Sequence, residues 1–415
     1  MGKAVFCMGG ALAALCLTTS AWAGPTAQGV PFRASSCTTC RQEEPSVAGA
    51  TTGGFLAVWE GSVANDLKGI AGRLFTSTGT PQAADFLVAK NVVPDQYDAA
   101  VARDSKGNYV AVWSSVANGN SEIMAQRFLA NGTATGTAFK VNVDATGTPT
   151  IPADYNPAVA RTSDGGFVVV WMNLLPPSAT FQGTTPQVLS RRFNATGAPV
   201  GAQVKINTGL VLGDRPDVCV DTSGKAVAVW TSVDEFRPFE PSQKGISLRR
   251  LETNGKVIDP AETKVAAPVA GSAKGAVSCG TGSTFVVVWH SDQAPAVERT
   301  DILGQRFSRL GRKVGGAFRI NSTVTSYQKN PSISHDSQGR FVVVWQFDQV
   351  TKRGIVGRAF TAAGAASGLD FEIKSENADS TPPTNPDISH TTTAGNFVVV
   401  WQEGTQGVFA RRFTP

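Results

Sequence analysis

Long helical patterning is missing from this 415-residue chain: no stretch keeps apolar residues at three- and four-residue spacing for several turns. With glycine, threonine, alanine and valine abundant, that absence points to strands and turns. Histidine is scarce, at 3, and tyrosine stands at 4. So few imidazoles leave little material for a histidine-built metal centre. No nucleophile elbow, P-loop, HExxH or dinucleotide fingerprint occurs, which counts against familiar hydrolases and nucleotide enzymes. A composite site assembled from distant loops stays open. Charge of one sign is not concentrated either. The 37 basic and 32 acidic residues are interspersed, so no nucleic-acid partner is expected. Beyond the N-terminus no run approaches the roughly 18 apolar residues of a membrane span.

The first 23 residues read as a secretory signal, with Lys3 as the positive start, Ala11 to Leu17 as the apolar stretch and Ala-Trp-Ala before Gly24. Leu15 stands where a lipoprotein signal needs a small residue, so Cys16 is not read as a lipid anchor. The mature chain is expected to be exported, secreted or periplasmic. Two of the six cysteines, Cys7 and Cys16, leave with the signal; Cys37, Cys40, Cys219 and Cys279 remain. An even number in an oxidising compartment favours disulfides over buried thiols. Cys37-Thr-Thr-Cys40 lacks the following histidine of a haem attachment site, and zinc ligands are too few nearby. No cofactor and no metal are expected.

What the chain does have is one phrase written seven times. Trp59, Trp113, Trp171, Trp230, Trp289, Trp345 and Trp401 each close a cognate of Gly-Gly-Phe-Val-Val-Val-Trp. The intervals are 54, 58, 59, 59, 56 and 56 residues. A fixed period of this length is a repeat architecture. Each unit carries a short segment such as Asn156 to Ala160, a glycine turn and the tryptophan strand. A third strand ending in Gln-Arg-Phe or Arg-Arg-Phe follows, then a fourth such as Ala317 to Asn321. That order describes a four-stranded antiparallel meander. The tryptophan strand is apolar on both sides, so its sheet must be covered on both faces. Seven sheets set radially do so, with the tryptophan as packing between blades. The last unit stops after its third strand at Pro415, while Gly29 to Ser36 looks like the fourth strands elsewhere. This N-terminal segment is expected to complete the last blade and close the ring.

The pattern GGFVVVW…AQRF…G…F.VN resembles the β-propeller repeats of secreted bacterial proteins, including multi-repeat surface proteins, across essentially the whole mature chain. The resemblance implies an all-β, seven-bladed propeller. It implies no specific functional family, because propellers host lectins, hydrolases, lyases, dehydrogenase subunits and scaffolds alike. No sialidase-type Asp box, DxDxDG calcium loop or WD series stands at a repeated position. The organisation expected is a signal at 1–23, a closing strand and linker at 24–43, and seven repeats at 44–415.

The two connections that vary in length among repeats emerge on one face of a propeller, and function tends to sit on such loops. Tyr97, Tyr155 and Tyr327 precede first strands there, and Phe181, Phe236 and Phe239 lie in the long loops of the third and fourth repeats. Their rings suit a sugar or protein partner, and ordinary loop packing explains them equally well. Asp234, Glu235, Asp292, Asp348 and Glu403 supply carboxylates on the same face, and a converging pair would permit glycoside hydrolysis. His290 follows Trp289 directly. His335 and His390 end first strands in successive repeats, where Gly49, Arg103, Arg161, Val220 and Cys279 stand elsewhere, so a structural role is favoured. A long donor-bearing side chain recurs near the end of every third strand: Arg73, Gln126, Arg191, Arg249, Gln305, Arg358 and Arg411. Such regularity argues for structural hydrogen bonds. Cys219 and Cys279 fall one register apart in adjacent repeats, so a bridge would tie the fourth blade to the fifth, and Cys37 with Cys40 would staple the linker.

The function expected is a monomeric, exported binding or scaffold protein that offers one loop face to a protein or glycan. The alternative is a polysaccharide hydrolase or lyase with a composite site on that face.

Overall fold

In a computed structural model the chain is a seven-bladed propeller of four-stranded antiparallel blades. The structure describes residues 24–415 apart from 64–65, 90–94, 118–119, 144–152, 176–184, 209–215, 234–242, 271–273, 293–299, 325, 392–393 and 405–406. Residues 1–23, read above as a signal, and Phe181, Asp234, Glu235, Phe236 and Phe239 therefore lie outside the described residues. No α-helix occurs among those described. The innermost strands, blade by blade, are Gln42–Gly49, Gln96–Arg103, Ala153–Arg161, Asp217–Val220, Gly275–Cys279, Tyr327–His335 and Pro383–His390. Blade 7 continues with Phe397–Glu403 and Gly407–Thr414, and its outer strand is Thr26–Arg33 from the other end of the chain. Thr26 pairs with Thr414 and Arg33 with Phe409. Closure thus joins the two ends within one sheet, which removes a pair of open strand edges.

The apolar strand answers to its two neighbours in alternation. In blade 7, Phe397, Val399 and Trp401 pack with Val342 and Val344 of blade 6, whereas Val398 and Val400 pack with Phe55, Ala57 and Trp59 of blade 1. The same interleaving joins Trp113 to Leu56 and Val58, Trp171 to Val110 and Val112, and Trp289 to Val227 and Val229. Each tryptophan is thus a wedge against the preceding blade. Truncation of such a side chain costs about 3–5 kcal/mol. In five blades the first residue of the second strand stacks on the last of the third, as in Phe167 and Phe193 at 4.9 Å.

The recurrent arginines stitch the seams in both directions. Arg73, Arg191, Arg249 and Arg358 donate backward to the carbonyls of Ala34, Val141, Ile206 and Ile320, just past the outer strand of the preceding blade, and Arg411 to Ile373 within that strand. Gln126 and Gln305, being shorter, turn to carbonyls of their own blades. The residue after this position donates forward: Arg127 to Ala195, Arg192 to Gly224 and Arg250 to Arg309. Asparagines that close outer strands, Asn142, Asn207 and Asn321, accept from Ile123, Val188 and Ile302 in the third strands.

Candidate functional site

The seven inner strands enclose a channel of about 470 Å³. Their open edges carry backbone groups that need partners. The structure supplies them from the neighbouring blade. The N–H groups of Val101, Val47 and Val277 donate to Ser46, Asp387 and Asp217 at 3.3, 2.9 and 2.8 Å. One turn lower, Gly49, His335 and His390 donate to Ser389, Ser278 and Ser334 at 2.9, 3.1 and 3.1 Å. At the equivalent seam between blades 4 and 5 the stitch is covalent: Cys219 and Cys279 are disulfide-bonded, with Cα atoms 5.6 Å apart. Cys37 and Cys40 form the second disulfide.

The lower end of the channel is consumed by structure. Arg161 forms an ion pair with Asp104 across the seam of blades 2 and 3, and its guanidinium lies over Phe167. His335 packs beside Phe341 at 5.1 Å and beside Gly280, where a Cβ would come within 2.9 Å of its ring. His390 packs beside Phe397, its Nδ1 2.9 Å from Ser334 Oγ. Burial holds both imidazoles neutral, each pushed down to about 3, with His390 adding to the effect on His335. The two are electrostatic neighbours set in successive seams. Among the described residues no group of three or more His, Cys, Asp or Glu is arranged to hold a metal ion.

The upper end, where the variable connections emerge, differs. There the inner strands bulge, and a residue in left-handed backbone conformation recurs: Glu44, Asp98, Asn156, Asn330 and Asn385, with φ of 49°, 57°, 53°, 53° and 50°. Asparagine and aspartate tolerate this region because their short polar side chains bond locally; glutamate does so less readily. In blades 2, 6 and 7 the residue after the tryptophan bonds to this ring. Ser114 Oγ donates to Asp98 at 3.4 Å, Asn330 Nδ2 to Gln346 at 3.3 Å and Asn385 Nδ2 to Gln402 at 3.3 Å. Glu44 N also donates to Gln402 Oε1, at 3.2 Å, joining blades 1 and 7.

Charge is divided across this mouth. On blades 1 and 2, burial pushes the Glu60 carboxyl up to about 7, and the carboxylates of Glu44, Asp98 and Glu43 add to the effect. On the far side, burial pushes His290 down to about 4, reinforced by Lys274, Lys244 and Lys329. Deeper in the channel wall Asp217 is raised to about 6 by burial, against the N–H groups of Val277 and Val218.

Of the residues singled out from the sequence, His290 belongs to this mouth and is 6 % exposed. Tyr97 donates its hydroxyl to Asp95, which also binds Lys68 at 2.5 Å, so it serves loop packing beside the mouth. Tyr155 packs against the cluster that holds Trp230, and Tyr327 is 40 % exposed on the upper face. Asp292 ends its strand, and its side chain is outside the described set. Asp348 is paired with Arg353 at 2.8 Å; Glu403 accepts from Trp401 Nε1 at 2.9 Å. Sequence reasoning missed Glu44, Glu60, Asp98, Lys274 and Gln402. The signal lay in two repeat columns: the inner-strand residue that precedes segments such as Pro-Ser-Val or Ala-Ala-Val, which holds Glu44, Asp98 and Lys274, and the residue after each tryptophan, which holds Glu60 and Gln402.

No protein-family model and no curated protein matches the chain. Solved structures do. A protein of unknown function from Dyadobacter fermentans is 11% identical over 93% of this chain and 98% of its own, with a TM-score of 0.53. A polysaccharide lyase, an ulvan lyase bound to -[GlcA(1-4)Rha3S]-, is 9% identical over 94% of each chain, at 0.55. An α-L-arabinanase of Penicillium chrysogenum, complexed with arabinobiose, is 12% identical over 94% and 98%, at 0.52. At these identities the likeness is one of fold.

Proposed function

We propose that the chain is an exported glycan-binding propeller whose ligand sits on the upper face at the channel mouth. The observation that carries this reading is the ring of carboxylate and amide side chains at Glu44, Asp98, Asn156, Asn330 and Asn385, backed by Gln346 and Gln402. Planar acceptors and amides set around a cavity match a ligand dense in hydroxyl groups. Two of the structural neighbours act on polysaccharides, and two disulfides suit an oxidising compartment. Calorimetric titration of residues 24–415 with soluble polysaccharides tests the reading: Asn330→Ala and Asn385→Ala should each weaken binding several-fold. Unchanged affinity in both variants would remove the mouth from consideration.

Hydrolysis is the second reading, favoured by one observation. Glu60, whose carboxyl is raised to about 7 by burial and by the nearby Glu44 and Asp98, would be a proton donor near neutral pH with further carboxyl groups beside it. Release of reducing ends, lost in Glu60→Gln with binding retained, would support it. Binding without any product would leave a pure binding module.

A further inference from the structure

Beside the mouth an open groove of about 650 Å³ lies between the connection from blade 6 to blade 7 and the Phe397–Glu403 to Gly407–Thr414 hairpin. That volume is ordinary for a small-molecule site. Glu376, Ser380, Thr381, Thr384, Gln402 and Glu403 line it. One ammonium organises its carboxylates: Lys374 Nζ is 2.5 Å from Glu376 and 3.7 Å from Glu403. Glu403 is fixed a second time by Trp401 Nε1. Gln402 belongs to both places. Its Nε2 donates to Gly404 O at 2.7 Å within the hairpin, while its Oε1 accepts from Asn385 and Glu44 at the mouth. Through Gln402 the groove therefore adjoins the mouth at Glu44 and Asn385.

Two carboxylates against one ammonium leave the groove acceptor-rich and net negative. Ionised carboxylates only accept hydrogen bonds, so they favour a ligand that donates many. A uronate or sulfate would bring further acceptors and like charge. We infer that the groove between blades 6 and 7 binds a neutral glycan chain through its hydroxyls, with Glu376 and Glu403 as acceptors, and discriminates against acidic glycans. This deepens the glycan-binding reading and rests on it.

The test titrates the mature chain with neutral arabino- and xylo-oligosaccharides and with oligogalacturonate. The wild type should prefer the neutral chains at least tenfold. Glu376→Gln with Glu403→Gln, which leaves Lys374 as the dominant charge, should erase or invert that preference. Ser380→Trp, at an exposed site where the larger ring needs no burial, should block the groove while thermal unfolding stays unchanged. Neutral binding that survives both changes, or a wild-type preference for oligogalacturonate, overturns the groove and leaves glycan binding standing. No binding of any glycan overturns both.

Discussion

The two ends of the channel are built from the same seven strands yet treat their polar groups in opposite ways. At the lower end five of the seven seams are closed by a Ser–backbone bond, the Cys219–Cys279 disulfide or the Arg161–Asp104 pair, and the histidines are packed away neutral. At the upper end a ring of left-handed backbone positions carries carboxylates and amides, of which Asp98 and Asn385 line the channel, and the charge pattern differs from blade to blade. The lower end spends its polarity on cohesion. The upper end retains groups whose arrangement costs stability, which is where binding or catalysis is expected in a rigid scaffold.

This contrast can be broken most forcefully at the disulfide. Closing a loop of 60 residues is worth about 4 kcal/mol by chain entropy, so Cys219→Ala with Cys279→Ala should lower the denaturation midpoint sharply and leave ligand affinity unchanged. Cys219→Ser with Cys279→Val imitates the stitches of other seams and should recover about 1 kcal/mol of the loss. Equal destabilisation by both pairs would show that the serine stitch is not transferable.

Next in size is Arg249, which donates to Asp259, Ile206 and Pro260 carbonyls at 3.0, 3.0 and 2.8 Å. Arg249→Gln, the residue found in blades 2 and 5, loses the bond to Ile206 and should cost about 1–3 kcal/mol in chemical denaturation. A neutral result would place the cohesion of that seam in apolar packing alone.

The histidines sharpen the comparison through pH. The unfolded chain takes up protons near 6.5, whereas His335 and His390 in the fold stay neutral until about 3. Stability is therefore full at neutral pH and is lost as pH falls from 6.5 towards 3, because the unfolded chain binds protons that the folded histidines do not. Glu60 and Asp217, raised to about 7 and about 6, act in the opposite direction, since their folded forms hold protons longer. The comparison is thus with His390→Gln, whose stability should fall less steeply over that range than the wild type's. Parallel curves would mean that His390 charges freely.

The smallest effect is expected at the ring of the mouth. Glu44→Asn places there the residue that blades 3, 6 and 7 already use, and should stabilise by less than about 1 kcal/mol while weakening ligand binding. A gain in stability with no loss of binding would make Glu44 a mere replaceable bulge residue.

The architecture was legible because its evidence is periodic. Seven tryptophans at nearly equal spacing, each on a strand apolar on both faces, leave few arrangements other than a ring of blades. The unfinished last repeat pointed to Gly29–Ser36 as its missing strand, and the strand that forms is the overlapping Thr26–Arg33. Even the arginine column and the Cys219–Cys279 bridge followed from register. The candidate site was less legible. Sequence reasoning weighed the long loops of the third and fourth repeats, because variable length and aromatic content are visible along the chain. Glu44, Asp98 and Gln402 sit in repeat positions that look structural, and they gain meaning only from the blades beside them.

Local pattern and repeat period, which depend on neighbours in sequence, determined the strands, the blade count and the closure of the ring. Tertiary structure alone decided which charges face one another across the channel. Glu44 meets Gln402, 358 residues away, and Glu60, raised first by burial and by Glu44 of its own blade, is raised further by Asp98 from the next. Electrostatic environment depends on distance and burial in space, and the sequence does not carry those until the ring has closed.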